Sequence, residues 1–353
     1  MRVSTNQFHS QGINSIQKHQ EELLDLQIKL STGKRVNKAS DDPVATSQIH
    51  SLNRTMSTIE QYARNGEFAK TQLVLEETTI SDTTDSLQRA RELGVQMLNG
   101  VYNDENRQAA AEEVGQIISQ VRNMMNYTSS EGEFLFAGGD VDKQPYASDT
   151  ATYDDTSTVP IETATGFYSY IGNLPPADAN FSATANYGSR FVQIGFDADN
   201  KIDPDDRGDA ARVRITDNGS DVFDIPGGAL SLAQYDDGSG NTPDSNILNV
   251  LIEMERNLVS GEPLTDDIVA DISSSIAKLT QVRSEIGGRQ NRIESQYDAG
   301  ENFKLTLTER KSSLEDLDVI AGISDFTRTE NALEVAQQVF SKVQSLSLFN
   351  YIR

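Results

Sequence analysis

The chain contains no cysteine and no tryptophan, and it has only three histidines in 353 residues. Without cysteine, neither a disulfide nor a thiolate metal site can form, and nucleophilic catalysis would depend on a serine beside one of the few histidines. His9, His19 and His50 all lie in the first fifty residues, on segments with helical patterning. We therefore expect them to face solvent, and we predict a protein that is not an enzyme and that binds no cofactor.

Long apolar runs and positive charge are also scarce. No run approaches the ~18 residues of a membrane-spanning helix, so we expect no membrane partner. The first ten residues lack the apolar core of a cleaved secretory signal, which by itself favours a cytoplasmic protein. The formal net charge of −24 opposes binding to nucleic-acid phosphates, so we also predict no nucleic-acid partner.

The middle of the chain holds much of the acidic charge. Residues 140–245 carry 19 acidic and only six basic side chains, and they are rich in Gly and Asp. The best strand patterns are residues 191–196, 212–216 and 222–225, and Asp217-Asn218-Gly219 indicates a hairpin between the last two. We therefore predict a small β-rich domain at 140–245.

The segments on either side of this domain are helical and have heptad spacing. One apolar ladder consists of Leu52, Ile59, Leu73, Ile80 and Leu87, with Gly66 and Gly94 at its missing positions. A second ladder consists of Ile272, Leu279, Ile286 and Ile293. A strict seven-residue repeat presents one apolar seam to a partner helix, and we expect these two ladders to pack within one subunit. The predicted fold is mostly α, with a long antiparallel coiled coil or rod formed by the N- and C-terminal segments and an inserted β-rich domain.

Local signals set the helix limits. A first helix is predicted over 10–31, followed by a polar loop at 34–42. Asp42 is the predicted N-cap and Pro43 the first residue of a long helix that reaches about 99–100. Further helices are predicted to begin at 103–104 and at about 245.

Both ends of the chain are apolar in a way that a two-helix pair cannot bury. The last eight residues include Leu346, Leu348, Phe349 and Ile352, and an isolated monomer seldom ends in so apolar a cluster. We expect the end helices to be largely disordered until another subunit covers them. The predicted subunit-packing residues are Ile13, Ile16, Leu23, Leu30, Leu333, Phe340, Val343, Leu346, Leu348, Phe349 and Ile352.

The best metal candidate is an aspartate-rich loop that begins at Asp197 and Asp199. A calcium loop of the EF-hand type requires an oxygen ligand at its fifth position, Gly at its sixth and Glu at its twelfth, where this chain has Lys201, Ile202 and Gly208. The spacing fails, so we predict a solvated loop and no metal.

Two segments near the ends resemble a known family. Residues 30–43 (LSTGKRVNKASDDP) are similar to the N-terminal signature of bacterial flagellins and their relatives, and residues 313–318 (SLEDLD) with the last helix are similar to the C-terminal signature. Three further segments resemble the relatives that join hook to filament rather than filament subunits: the start MRVSTN, the run FLFAGG at 134–139 with Pro145-Tyr146, and the ending LSLFNYI.

The resemblance implies a structural adaptor of the bacterial flagellum that joins hook to filament. It implies three domains: terminal helices that order on assembly (1–45 with 303–353), a helical rod (46–139 with 246–302) and a surface domain (140–245). It also implies an extracellular protein exported without a cleaved signal through the type III apparatus of the flagellum, which reverses the cytoplasmic prediction. The implied partners are copies of the chain, a neighbouring hook-associated protein, flagellin, and an export chaperone bound to the C-terminal helix.

Two alternatives stay open from the sequence. The first is a filament-forming flagellin, which would assemble into long filaments on its own. The second is a binding module or enzyme on a coiled-coil stalk, such as a calcium-dependent adhesin, motivated by the aspartate-rich loop.

Overall fold

In the computed structural model, the described residues are 2–98, 102–139, 141–148, 167–171, 189–196, 211–232 and 243–349. They form two compact units. Unit 1 comprises Met1–Glu60 and Glu301–Arg353, and unit 2 comprises Gln61–Gly300. The three-domain division predicted at residues 45, 139, 245 and 303 remains a prediction, since compactness alone does not test it.

Seven helices are found in the described part of the chain: α1 (Arg2–Thr32), α2 (Pro43–Leu98), α3 (Asp104–Met125), α4 (Gly219–Phe223), α5 (Ile247–Ser260), α6 (Asp266–Glu315) and α7 (Val319–Phe349). The predicted starts of α2 and α3 agree with the structure, and the predicted end of α2 at 99–100 lies outside the described residues. The α1 helix begins eight residues before its predicted start, because no Gly or Pro interrupts residues 2–10. The prediction of a mostly helical fold with a small β-containing middle is confirmed.

The strands described in the middle of the chain are short. Strands β1 (Tyr146–Ser148) and β2 (Tyr168–Tyr170) pair antiparallel, and so do β3 (Phe191–Gln193) and β4 (Arg212–Arg214). The predicted strands at 191–196 and 212–216 therefore exist, but each has only three residues. The β1–β2 pair was not predicted.

The predicted strand at 222–225 and the hairpin at Asp217-Asn218-Gly219 are wrong. Residues Gly219–Phe223 form helix α4, and the Asn218 side chain is its N-cap, since Asn218 Oδ1 accepts a hydrogen bond from the Ser220 amide at 3.1 Å. Asn is favoured both in turns and at N-caps, so the tripeptide alone does not distinguish the two. The adjacent side chains of Val222 and Phe223 are both buried, which a strand exposed on one face could not achieve.

Both apolar ladders are buried in the chain itself. Leu52 and Ile59 pack with Leu307 in unit 1, while the other ladder residues join the large core of unit 2. The glycines at the missing positions permit close approach: a Cβ on Gly66 would lie 3.2 Å from Ile293 Cγ2, and one on Gly94 would lie 3.1 Å from Val269 Cγ2. The sequence gaps in the first ladder therefore mark places where another side chain occupies the space of a Cβ.

A buried ion cluster lies in the core of unit 2. The Arg289 guanidinium donates two hydrogen bonds to the Asp217 carboxylate, at 2.9 and 3.1 Å, and Arg214 lies 2.8 Å from the same carboxylate. Burial favours the neutral form of Asp217, but these two cations outweigh it and hold the pKa of Asp217 below its usual range. Glu76 is 1% exposed; its burial, and then the nearby charge of Asp217, raise its pKa well above the usual range. Burial therefore favours the neutral, protonated form of Glu76.

Candidate assembly surface

The two segments that carry the family resemblance lie against each other in unit 1. The Arg35 amide donates a hydrogen bond to the Glu315 carbonyl at 2.7 Å, and the Leu317 amide donates one to the Gly33 carbonyl at 2.9 Å. The Lys34 ammonium lies 2.5 Å from the Glu315 carboxylate. We call residues 33–36 and 314–317 the clasp. It joins the loop after α1 to the end of α6, although the two segments lie about 280 positions apart in the sequence.

The loop between the clasp and α2 is held by its own aspartates. The Asp41 carboxylate accepts hydrogen bonds from the amides of Asn37 and Lys38, at 3.0 and 2.9 Å, and these bonds lower its pKa. Asp42 Oδ1 accepts from the Ala45 amide at 2.9 Å, which lowers the pKa of Asp42 and makes it the N-cap of α2, as predicted. Four residues of the signature segment are therefore held by hydrogen bonds between a carboxylate and a backbone amide: Asn37, Lys38, Asp41 and Asp42.

Apolar side chains also pack together at the clasp. Val36, Ala45 and Ile49 form a small buried cluster with Leu314 packed against it. Gly33, just after α1, has φ +69°, a left-handed conformation that glycine adopts without strain. The signature Thr32-Gly33 therefore ends α1 and turns the chain into the clasp.

Helices α1 and α7 pack against each other in unit 1. Near the start of α1, a Cβ on Gly12 would lie 2.7 Å from Phe340 Cδ2, and the His9 and Phe340 rings meet edge to face with centroids 5.6 Å apart. His9 is therefore half-buried against an aromatic ring rather than facing solvent. His19, which lies 3.3 Å from a Glu22 carboxylate oxygen, is also half-buried, while His50 is exposed as predicted.

The predicted subunit-packing residues fall into three groups. Ile16, Leu23, Leu30, Leu333 and Phe340 are half-buried, and Ile13 and Val343 are exposed. The helix α7 runs through Leu346, Leu348 and Phe349, whose side-chain environment lies outside the description, and Ile352 lies outside the described residues. Their role in packing between subunits stays a prediction.

Unit 1 also exposes apolar side chains outside that list. On α1 these are Leu24 and Ile28, and on α7 they are Val319, Ile320, Ile323, Val335 and Val339. Ile320 is 84% exposed, and Val335 and Val339 are 57% and 53% exposed. Val335 and Val339 precede the predicted Val343 at four-residue spacing, and this spacing is the sequence signal that could have identified them.

An apolar groove lies on the α1–α7 pair and has a volume of about 670 Å³. Valines 335, 339 and 343 line it together with Phe340 on α7, and Gly12 and Ser15 line it on α1. Among the residues that the structure describes, none that lines the groove is charged. Contiguous apolar surface of this kind is typical of a protein–protein contact.

Among the described residues, no group of three or more His, Asp or Glu side chains is placed to hold a metal ion. The aspartate-rich loop that begins at Asp197 lies outside the described residues. Within those ranges, no helix has both the length and the apolar character needed to cross a membrane.

Comparison with known proteins agrees with the placement of the two signature segments. The model of the bacterial flagellin N-terminal helical region matches residues 3–140, and the model of the C-terminal helical region matches residues 269–352. Together they cover more than half of the chain. Both halves of the clasp lie inside these matches.

Full-length relatives and a solved structure extend the match. Flagellar hook-associated protein 3 of Escherichia coli K12 is 27% identical over 349 residues, which cover 99% of each chain. A flagellin of Listeria monocytogenes is 21% identical over 351 residues, covering 98% of each. The crystal structure of flagellar hook-associated protein 3 from Legionella pneumophila shares the fold, with a TM-score of 0.56 at 17% identity over 75% of this chain and 98% of that one. The chain therefore belongs to the bacterial flagellin family, and its full-length similarity to hook-associated protein 3 exceeds its similarity to the flagellin.

Proposed function

We propose that this chain is the structural subunit that joins the hook of a bacterial flagellum to its filament. The observation that carries the proposal is the exposed apolar groove on α1 and α7, with its uncharged described lining, in a chain that matches hook-associated protein 3 from end to end. The protein acts mechanically: its end helices pack on neighbouring subunits and continue the axial structure. No chemical step is required of it.

The energetics favour packing between subunits. Burying one large aliphatic side chain stabilises an interface by roughly 1.5–3 kcal/mol. Unit 1 exposes several such side chains on α1 and α7, so a modest contact can offset the cost of association. The predicted packing residues, including Ile13, Leu346 and Phe349, belong to this proposed surface.

We infer that the neighbours are copies of the chain, another hook-associated protein and flagellin. The terminal helices, within 1–45 and 303–353, would form the inner wall, residues 46–139 and 246–302 the rod, and residues 140–245 the outer surface. The acidic charge of 140–245 suits a solvated exterior, because it keeps that part of neighbouring molecules apart.

We also infer that the chain is exported through the flagellar type III apparatus and acts outside the cell. Before assembly, the exposed valines and isoleucines of α7 would promote aggregation. An export chaperone bound to residues 303–353 would cover them. The absence of cysteine is compatible with passage through a channel in an unfolded state, because no disulfide can trap the chain.

The decisive experiment locates the protein on isolated flagella with antibodies raised against unit 2. A junction subunit labels one short band between hook and filament, and deletion of its gene leaves hooks without filaments. Label along the whole filament would instead identify a filament-forming flagellin. Label elsewhere on the cell surface would favour a stalked binding module.

A pair of variants then tests the surface. Val339→Asp places a charge in the groove, whereas Val259→Asp places one on an exposed valine of unit 2. We expect Val339→Asp to abolish incorporation into flagella and Val259→Asp to retain it. Equal incorporation of the two variants would show that the groove is not a subunit contact.

A further inference from the structure

We propose that the groove of one subunit binds the first turns of α7 from a neighbouring copy, so that subunits contact each other head to tail. We call Val319, Ile320 and Ile323 the apolar ridge. The inference rests on the proposed function and names the partner of the exposed face. It also names which parts of two identical chains meet.

The groove has the shape and chemistry to accept aliphatic side chains. Its α1 side is lined by Gly12 and Ser15, whose small side chains leave room for a close approach. Its α7 side is lined by Val335, Val339 and Val343. Because its described lining residues are all uncharged, an apolar occupant would leave none of them as an unpaired buried charge.

The apolar ridge is the complementary feature on the same unit. All three of its side chains are at least half exposed, and Ile320 is the most exposed of them. The Asp318 carboxylate accepts hydrogen bonds from the amides of Ile320 and Ala321, at 3.0 and 3.1 Å, and so fixes the first turn of α7. These two hydrogen bonds cap the turn of α7 that carries the ridge.

A chain cannot place its own ridge in its own groove. Ile320 and Val339 lie on one continuous helix, 19 residues apart, and at 1.5 Å per residue they are separated by about 28 Å along its axis. A ridge that binds in this groove must therefore come from another molecule. Every copy of the chain supplies a ridge that its own unit leaves exposed.

The pairing of two different patches has a consequence for assembly. A contact in which one patch binds its own counterpart closes after two subunits, whereas a contact between different patches continues from copy to copy as a ring or a helix. Two grooves placed face to face would also leave an unfilled cavity between them, because both surfaces are concave. A ridge in a groove buries both patches and extends the assembly.

Cysteine cross-linking tests the pairing directly, because the natural chain has no thiol. In the native bacterium lacking its own copy of the gene, Ile320→Cys and Val339→Cys are co-produced with different epitope tags. Flagella are isolated, oxidised with copper phenanthroline and run on non-reducing gels. A disulfide forms only where the two Cα atoms come within about 7 Å. We expect a mixed disulfide that carries both tags, and its loss when Val259→Cys replaces Val339→Cys.

The other outcomes are distinct. If both tags are present in the flagella without a mixed disulfide, or if each variant links only to itself or to another protein, the pairing is wrong and the junction function stands. If the tagged natural chain is absent from the flagella, the proposed function itself fails. If the cysteine variants are excluded while the natural chain is incorporated, Ile323→Cys with Val335→Cys repeats the test on the same two surfaces. Failure of that pair to link would reject the proposal.

Discussion

The Lys34 ammonium lies 2.5 Å from the Glu315 carboxylate, so a side chain from the loop after α1 contacts the last residue of α6. The hydrogen bond and the charge of Glu315 raise the pKa of Lys34. The Lys311 ammonium lies 3.6 Å from the same carboxylate, and the Arg35 amide donates a hydrogen bond to the Glu315 carbonyl. Glu315 is therefore the residue on which most polar contacts of the clasp converge.

The first prediction concerns this residue. Glu315→Gln keeps the backbone hydrogen bonds but removes the attraction to Lys34 and Lys311, so the clasp should open more often. We expect several-fold faster hydrogen exchange at the amides of Arg35 and Leu317, with the difference shrinking at high salt. Glu294→Gln is the control, since Glu294 is more exposed and lies 3.8 Å from Lys70 in unit 2. Unchanged exchange at both amides would mean that the backbone bonds alone hold the clasp.

The second prediction concerns the contact of Gly12 with Phe340. Gly12→Ala puts a methyl group where the Phe340 ring now lies, so either the ring or the helix must shift. We expect reduced incorporation into flagella and reduced motility in a complementation assay. Gly287→Ala is the matched control, because a Cβ there meets nothing within 4 Å in the described structure around it. That change should leave motility intact and stabilise α6 by about 0.5–1 kcal/mol. Normal motility with Gly12→Ala would show that this approach is not needed in the assembled flagellum.

The third prediction concerns Glu76. Its folded-state pKa is raised, so the folded chain holds a proton that the unfolded chain releases above its ordinary pKa. The free energy of unfolding should then fall as the pH rises from about 4 through neutrality. Glu76→Gln cannot ionise and should therefore be more stable than the natural chain at pH 8, while the two converge near pH 4. Urea unfolding at both pH values measures the difference.

A neighbouring residue supplies the control for that experiment. Glu77 is half-exposed and lies 3.7 Å from Arg283, so Glu77→Gln should not raise stability at pH 8. If Glu76→Gln were destabilising at every pH, the carboxyl group would be ionised in the folded state, contrary to the interpretation given above.

The fourth prediction concerns Asp224. Burial, with a further contribution from the charges of Asp244 and Asp221, raises its pKa from 3.8 to about 7, and Lys278 opposes the shift. The contribution of Asp224 to the free energy of unfolding is fully present below about pH 4 and is lost as the pH rises towards 7. The free energy of unfolding should therefore fall less between pH 5 and pH 8 in Asp224→Asn than in the natural chain, by about 2–4 kcal/mol.

Carbon-13 NMR of aspartate-labelled protein measures this pKa directly. We expect one carboxyl signal that titrates near pH 7 and that disappears in Asp224→Asn. The exposed Asp142 provides the comparison, since Asp142→Asn should leave that signal in place. Titration of every aspartate below pH 5 would contradict the prediction.

The features that local signals specify were predictable from the sequence. Asn103 caps α3 and Asp42 caps α2 because each side chain accepts a hydrogen bond from an amide three residues further along, a spacing that the sequence displays directly. The heptad ladders identified core positions for the same reason: periodicity is a local property of a helix. At Asn218, two local signals competed, and the N-cap prevailed over the hairpin turn.

The contacts that the sequence did not reveal join residues distant along the chain. The Glu76, Asp217 and Arg289 cluster combines residues from α2, the loop before α4 and α6, and no spacing rule relates them. The clasp is similar, because it depends on residues about 280 positions apart meeting in space. Val335 and Val339 of the groove were missed for another reason: the predicted stripe through Leu333 and Phe340 concealed a second stripe on the same helix.

The clasp has a mechanical consequence. The covalent paths between the paired α1 and α7 helices and the rest of the chain are the loop at 33–42 and residues 316–318. Antiparallel hydrogen bonds tie these two paths together at Arg35 and Glu315. A pulling force on one terminal helix is therefore shared between both connections before the force reaches α2 and α6. In a flagellum that rotates and bends, the hydrogen bonds of the clasp would carry this force in every rotation.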